Sequence, residues 1–262
     1  MENQSGKSKN ILIITYYWPP AGGPGVQRWV KFANYLPEFG FSPVVLTVKT
    51  EDASYAFKDD SLLKDVSDKI KVVRTKSTEF YNLYLKLTGK KNIPFSGFVH
   101  EGKIGFKERA IRFLRTHLFI PDPRKGWNRY AVKEACRLIN EYSIRFIVTS
   151  GPPHSTHLAG LRLKKLFPYI FWIADFRDPW THIFYFNQLN HSSVSRRIHR
   201  KMEKEVLTIS DRIIVVSNSM REDFYKDHQE IEKDKIAVIT NGYDEKEIPL
   251  LKPVPGKEFT IT

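Results

Sequence analysis

A chain of 262 residues that is 41% hydrophobic and 13% aromatic has the side chains to bury a core, which excludes a disordered polyelectrolyte. No apolar run approaches the roughly 18 residues of a membrane-spanning helix, and the single cysteine, Cys136, permits neither an intrachain disulfide nor a cysteine metal site. A net charge of +13 favours an anionic partner such as a phosphorylated substrate, nucleic acid or an anionic membrane face.

Met1–Asn10 is polar and charged and reads as a short lead, not a signal peptide; with the lone cysteine this points to a cytoplasmic protein. Asn10–Thr15 (NILIIT) follows as a buried strand. Gly25–Phe39 places Val26, Trp29, Val30, Ala33 and Leu36 on one helical face and stops at Gly40. Pro43–Val48 reads as a second strand and Lys71–Arg74 as a third. From Thr75 to Trp127 the pattern breaks into an aromatic, basic stretch that reads as an insertion carrying some helix. Alternation then resumes: helix at Asn128–Glu141, strand at Arg145–Thr149, helix at Ser155–Phe167, strand at Tyr169–Ala174, helix at Ser193–Thr208, strand at Arg212–Val216, helix at Ser217–Lys226 and strand at Lys235–Thr240. Strands that are apolar on both faces, each followed by a helix, predict an α/β fold: a doubly wound, Rossmann-like parallel sheet with helices on both faces. Residues 1–249 form that domain, with the insertion at about 75–127. Leu250–Gly256 reads as a linker and Glu258–Thr262 as the start of a further strand, so residues 250–262 lead toward a missing C-terminal domain.

In such sheets ligands bind beyond the carboxyl ends of the strands, and four loops there carry chemistry. Tyr16–Gln27 (YYWPPAGGPGVQ) holds Gly22, Gly23 and Gly25, whose backbone can approach a ligand at a helix N-terminus suited to phosphate. Arg28 stands where a dinucleotide fingerprint has its third glycine, no G-K-[ST] follows, and the second strand ends Val48–Lys49–Thr50 with Glu51 and Asp52 only beyond it, which disfavours a nicotinamide site. Ser150–His157 (SGPPHSTH) offers Ser155 or Thr156 as a helix cap and His154 as a ligand contact or general acid–base group. Ala174–Trp180 (ADFRDPW) sets Asp175, Arg177 and Asp178 at the end of a buried strand, where charges must pair with one another or with a ligand. Trp180 can stack on a sugar or cover the core. Pro121–Trp127 (PDPRKGW) joins Arg124 and Lys125 to the plate of Trp127.

With these residues in place, the chain resembles the N-terminal, acceptor-side domain of retaining GT-B glycosyltransferases of family 4. The opening strand, glycine loop and helix, the segment IIVVSNSMREDF and the turn VITNGYD carry the resemblance, from the first strand to about Asp244. It implies a complete enzyme that transfers a sugar, of hexosyl type, from a nucleotide sugar to a glycan or lipid-linked acceptor in polysaccharide biosynthesis, with retention and with neither cofactor nor metal. It also implies that the donor-gripping E-x7-E region lies in the second domain, so that this stretch alone is inactive. Gly22, Gly23 and Gly25 match the donor-phosphate loop. Asp175, Arg177 and Asp178 stand at the strand end that supplies a catalytic or acceptor-orienting residue in relatives; several of those have a histidine there, which leaves the assignment among the three open. Tyr17, Trp18, Arg124, Trp127, His154 and Trp180 are the acceptor-side candidates.

Lys107–Phe119 (KERAIRFLRTHLF) has the pattern of a basic amphipathic helix, which suits the anionic inner face of a membrane or a solvated surface of its own domain. Two rivals remain: a nucleotide- or NAD-binding Rossmann domain of another enzyme, and a basic module binding nucleic acid or membrane. Nucleic acid is not the expected partner, because charge alone supports it and no recognition element accompanies the charge.

Overall fold

The computed structural model describes residues 9–78, 119–183, 186 and 191–244. The N-terminal lead up to residue 8, most of the insertion (79–118), the amphipathic segment at 107–118, the linker and the terminal strand lie outside the described residues.

The apolar runs become strands because each can be buried on both faces. β1 (Lys9–Thr15), β2 (Phe41–Val48), β3 (Lys71–Thr75), β4 (Phe146–Gly151), β5 (Phe171–Phe176), β6 (Arg212–Val215) and β7 (Ile236–Val238) form one sheet in the order β3-β2-β1-β4-β5-β6-β7, every pair parallel. Leu12, Ile13, Ile14, Val45, Leu46, Ile147, Trp172, Ala174, Ile213 and Val215 are fully buried, as expected where helices cover a parallel sheet. This is the predicted doubly wound fold.

α1 (Pro24–Tyr35) turns Val26, Trp29, Val30 and Ala33 inward. It ends earlier than the periodicity suggests, because Pro37 supplies no amide and the chain tightens into a 3-10 turn, Leu36–Phe39, closed by Gly40 at φ 77°. α2 (Asn128–Glu141) packs on β1–β3 and on α3 (Ser155–Leu166), which lies against β4 and β5 and touches α4 (Ser193–Ile209); α5 (Asn218–Asp227) follows β6. The strand order reverses between β1 and β4, the position at which the loops of a doubly wound sheet diverge and ligands bind beyond the carboxyl edge.

Register decides what stands at that edge. Thr15 pairs with Ser150, and Ser150 with Asp175, so three polar residues line up across β1, β4 and β5. β5 runs two residues further than the sequence reading placed it, which puts Asp175 inside the strand and not in the loop.

α3 sits close to the sheet because Gly160 has no side chain. A methyl group there would come 2.5 Å from the Trp172 ring and 2.7 Å from the Thr149 methyl. Gly160→Ala is expected to cost about 1–3 kcal/mol through overpacking, seen as a lower urea midpoint at unchanged slope.

Candidate functional site

Asp175 is wholly buried, and its charge is met by three donors: Trp29 Nε1 at 2.7 Å, Ser150 Oγ at 3.0 Å and Arg28 at 3.3 Å. Its oxygens thereby fasten the second turn of α1 and the end of β4 to β5. Arg177, two residues on, faces the crevice side. Its amide donates to the Gly151 carbonyl at 3.1 Å and its guanidinium to the Pro152 carbonyl at 2.6 Å. The same guanidinium lies against Gly25, where any Cβ would overlap it. Three loop ends, those after β1, β4 and β5, therefore meet at Arg177. Burial pulls the guanidinium below its ordinary pKa, while Asp175, Asp178 and Tyr17 act to raise it. Burial pushes the Asp178 carboxyl above the usual carboxylate range, and Arg177 opposes the shift. Asp178 is half-buried, with no protein donor on its oxygens among the described residues, so it can accept a proton from, or orient, an incoming hydroxyl.

The glycine turn divides its labour. Gly22 is covered by the Phe57 ring, its amide donates to the Phe57 carbonyl at 3.1 Å, and Ala21 bridges Lys58. Gly25 seats Arg177. Gly23, at φ 110° with open space on its Cβ side, is the glycine of the three that faces no protein atom there. α1 starts behind it without a side-chain cap, with Pro24 in its first turn.

The structure corrects several expectations. Trp18 and Trp127 are 1% exposed and Trp180 is 2% exposed, so no indole face is open to a sugar. Trp127 donates to Thr75 Oγ1 at 2.8 Å and packs edge-on against Tyr16. Trp180 stacks on His154, with ring centroids 5.1 Å apart, and donates to His199 Nδ1 at 3.0 Å. His154 is not an acid–base group near neutral pH, because burial, with the charges of Arg177 and His199, lowers its pKa to about 3. The cap of α3 is neither Ser155 nor Thr156: the half-buried Asp122 carboxylate reaches across and accepts the Ser155 amide at 2.7 Å and its hydroxyl at 2.9 Å. Arg124 leans on the Ser54 carbonyl at 3.3 Å, away from a free plate-and-cation pair with Trp127. Tyr17 stays half-buried beside Tyr16 and Tyr55, within electrostatic reach of Arg177.

Sequence reasoning passed over Arg28 except as a missing glycine, since its partners lie 147 to 213 positions away. It also missed Glu203. That carboxylate is 1% exposed and accepts the Thr181 amide at 3.0 Å and hydroxyl at 2.5 Å, holding the loop that follows β5. A signal existed: Glu203 falls on the same helical stripe as His199 and Val206. Among the described residues, no group of three or more His, Cys, Asp or Glu is placed to hold a metal ion, and no helix is long and apolar enough to cross a membrane.

The profile described as Glycosyltransferase Family 4 matches residues 97–247. The chain belongs to glycosyltransferase family 4. Among solved structures it is similar to sucrose-phosphate synthase from Thermosynechococcus elongatus (15% identity, TM-score 0.54, covering 91% of this chain and 49% of that one). It is also similar to Medicago truncatula UGT71G1, solved with UDP-glucose (11%, 0.52, 93% and 54%), and to apo UGT2 of Phytolacca americana (10%, 0.51, 91% and 53%). At these identities the likeness establishes the fold, and this family 4 chain spans about half the length of the structures it matches. No curated protein sequence gives a significant match.

The histidines beside the cleft make a pH prediction. Burial holds His154 at about 3 and His199 at about 4, and pushes His157 well below its ordinary 6.5. Below pH 6.5 the unfolded chain takes up protons that the folded chain refuses, so stability falls as pH drops. Replacing His199 by Gln is expected to flatten the fall in urea midpoint between pH 6.5 and pH 4; a slope equal to that of the unsubstituted protein would contradict the burial account.

Proposed function

We propose that residues 1–249 are the acceptor-side half of a retaining glycosyltransferase that moves a hexosyl-type sugar from a nucleotide sugar to a glycan or lipid-linked acceptor in polysaccharide biosynthesis. The observation that supports this reading is the meeting of the β1, β4 and β5 loop ends at Arg177, the sequence neighbour of Asp178, whose guanidinium lies against Gly25 of the glycine turn and donates to the Pro152 carbonyl. Arg177 and the uncapped start of α1 supply positive potential where negative charge grows on the leaving diphosphate. Asp178 orients the acceptor hydroxyl or takes its proton as the new glycosidic bond forms and the bond from the anomeric carbon to the diphosphate breaks. Asp175 acts as the fixed post that aims these groups. His154, neutral across physiological pH, and Tyr17 are the acceptor contacts that survive from the sequence reading; a neutral imidazole suits a hydroxyl, not a phosphate.

No resident cofactor or metal enters this scheme. The donor's nucleotide is held by a second Rossmann-like half following residue 249, so the stretch alone is inactive. The protein works in the cytoplasm, peripherally at the inner membrane face where a lipid-linked acceptor is presented, and nucleic acid is not its partner. A nicotinamide site gains no support: the Asp52 carboxylate, which stands beyond β2, accepts the Ser77 amide at 3.3 Å.

The test uses full-length protein with UDP-glucose, UDP-N-acetylglucosamine, GDP-mannose and dTDP-rhamnose against glycan and lipid acceptors, following nucleoside diphosphate release and product mass. One donor is expected to support transfer, and Asp178→Asn to lower kcat by about 100-fold or more with an unchanged melting curve. Transfer from none of the donors contradicts the transferase reading; wild-type turnover in the variant removes Asp178 alone.

A further inference from the structure

The residues leaving β7 turn back over the sheet and do not run off its edge. The Ile239 amide donates to the Val215 carbonyl at the end of β6, at 2.9 Å. Arg28 of α1 then donates to the Ile239 carbonyl at 3.0 Å, the Thr240 carbonyl at 3.0 Å and Asn241 Oδ1 at 3.2 Å, while the same guanidinium holds Asp175 at 3.3 Å. Further along the helix, Lys31 pairs with Asp244 at 3.0 Å and the Tyr35 hydroxyl reaches that carboxylate at 3.5 Å. Arg28, Lys31 and Tyr35 stand at i, i+3 and i+7, on one face of the helix whose first turn is the glycine turn. Ile239–Asp244 is thus a strap crossing from β7 to α1 over the carboxyl ends of β6 and β5.

Apolar burial does not hold the strap down. Residues 239–243 are exposed, with Tyr243 at 76%. The anchors are polar, and three of them converge on one side chain, Arg28, that is nearly inaccessible to water. Only a planar fork can serve two carbonyls, an amide oxygen and a carboxylate together, and Phe32 supports it from behind, with the ring centroid 4.6 Å from the guanidinium carbon.

We infer that Arg28 is a positioning residue that sets the strap as a wall of the cleft, keyed to Asp175, the carboxylate that also fixes α1 and Ser150. This rests on the cleft being the ligand site. It assigns residues 239–244 to that site, and it makes the direction in which the chain continues past Asp244 depend on the glycine-turn helix.

The test is hydrogen exchange and kinetics on full-length Arg28→Lys, Arg28→Met and Asn241→Ala. Asn241 is exposed, so its variant folds even where the Arg28 variants do not. Both Arg28 variants are expected to speed exchange across 239–244 by about tenfold while β1 and β4 stay within about twofold; Asn241→Ala speeds the same segment by a smaller factor. In the nucleoside diphosphate release assay, Asn241→Ala is expected to lower kcat about fivefold with KM for the nucleotide sugar within about twofold. Unchanged strap exchange in Asn241→Ala and Arg28→Lys overturns the inference, and so does a faster strap with unaltered kcat, which makes it a mere brace. Absence of sugar transfer by the unsubstituted protein counts against the proposed function, and the exchange result then still decides whether Arg28 holds the strap.

Discussion

A carboxylate with no access to water organises the working edge of this molecule. An unpaired Asp175 charge in that position would cost several kcal/mol, so the fold is obliged to bring donors to it. They come from α1 through Arg28 and Trp29 and from β4 through Ser150. Parallel register supplies the last of these, because Ser150 and Asp175 are cross-strand partners. The requirement to satisfy one buried charge therefore fixes the second turn of a helix, two strand ends and, through Arg28, the segment that leaves the sheet.

The two arginines near this post divide between inward and outward work. Arg28 spends its fork on protein acceptors. Arg177 bonds carbonyls of the β4 turn and presses on Gly25, so its position is determined by backbone from two other loops. Around it the histidines His154 and His157 are kept uncharged by burial, while Arg177 and Asp178 follow one another at the end of β5. A cation and a helix N-terminus flanking a poised carboxyl form an arrangement that can accept a growing negative charge on one side and a proton on the other.

Much of this was legible in the sequence. The strands and helices followed from apolar runs and 3.6-residue spacing, and the carboxyl-edge rule pointed to the glycine turn, Ser150–His157 and Asp175–Asp178. What could not be read was which polar groups had already been claimed by the protein. The indoles of Trp18, Trp127 and Trp180 look like sugar platforms in a string of letters, but their volume is used in the core. Gly22 and Gly25 look like room for a ligand, yet Phe57 and Arg177 fill it. The capping of α3 by Asp122, 33 positions away, and the hold of Glu203 on Thr181 are tertiary facts that no local pattern encodes. Helix ends moved for local reasons, as at Pro37, and β5 ran on because Asp175 found donors in β4 and in α1.

The account stands or falls on the crevice between the β1 and β4 turns being the place where sugar is handled. Crystals of the protein grown with a nucleotide sugar that it turns over test this most directly. The account expects density for the sugar and its diphosphate against Gly23, with Arg177 and Asp178 in contact. A well-occupied nucleotide sugar bound elsewhere, leaving those three residues untouched, would contradict it.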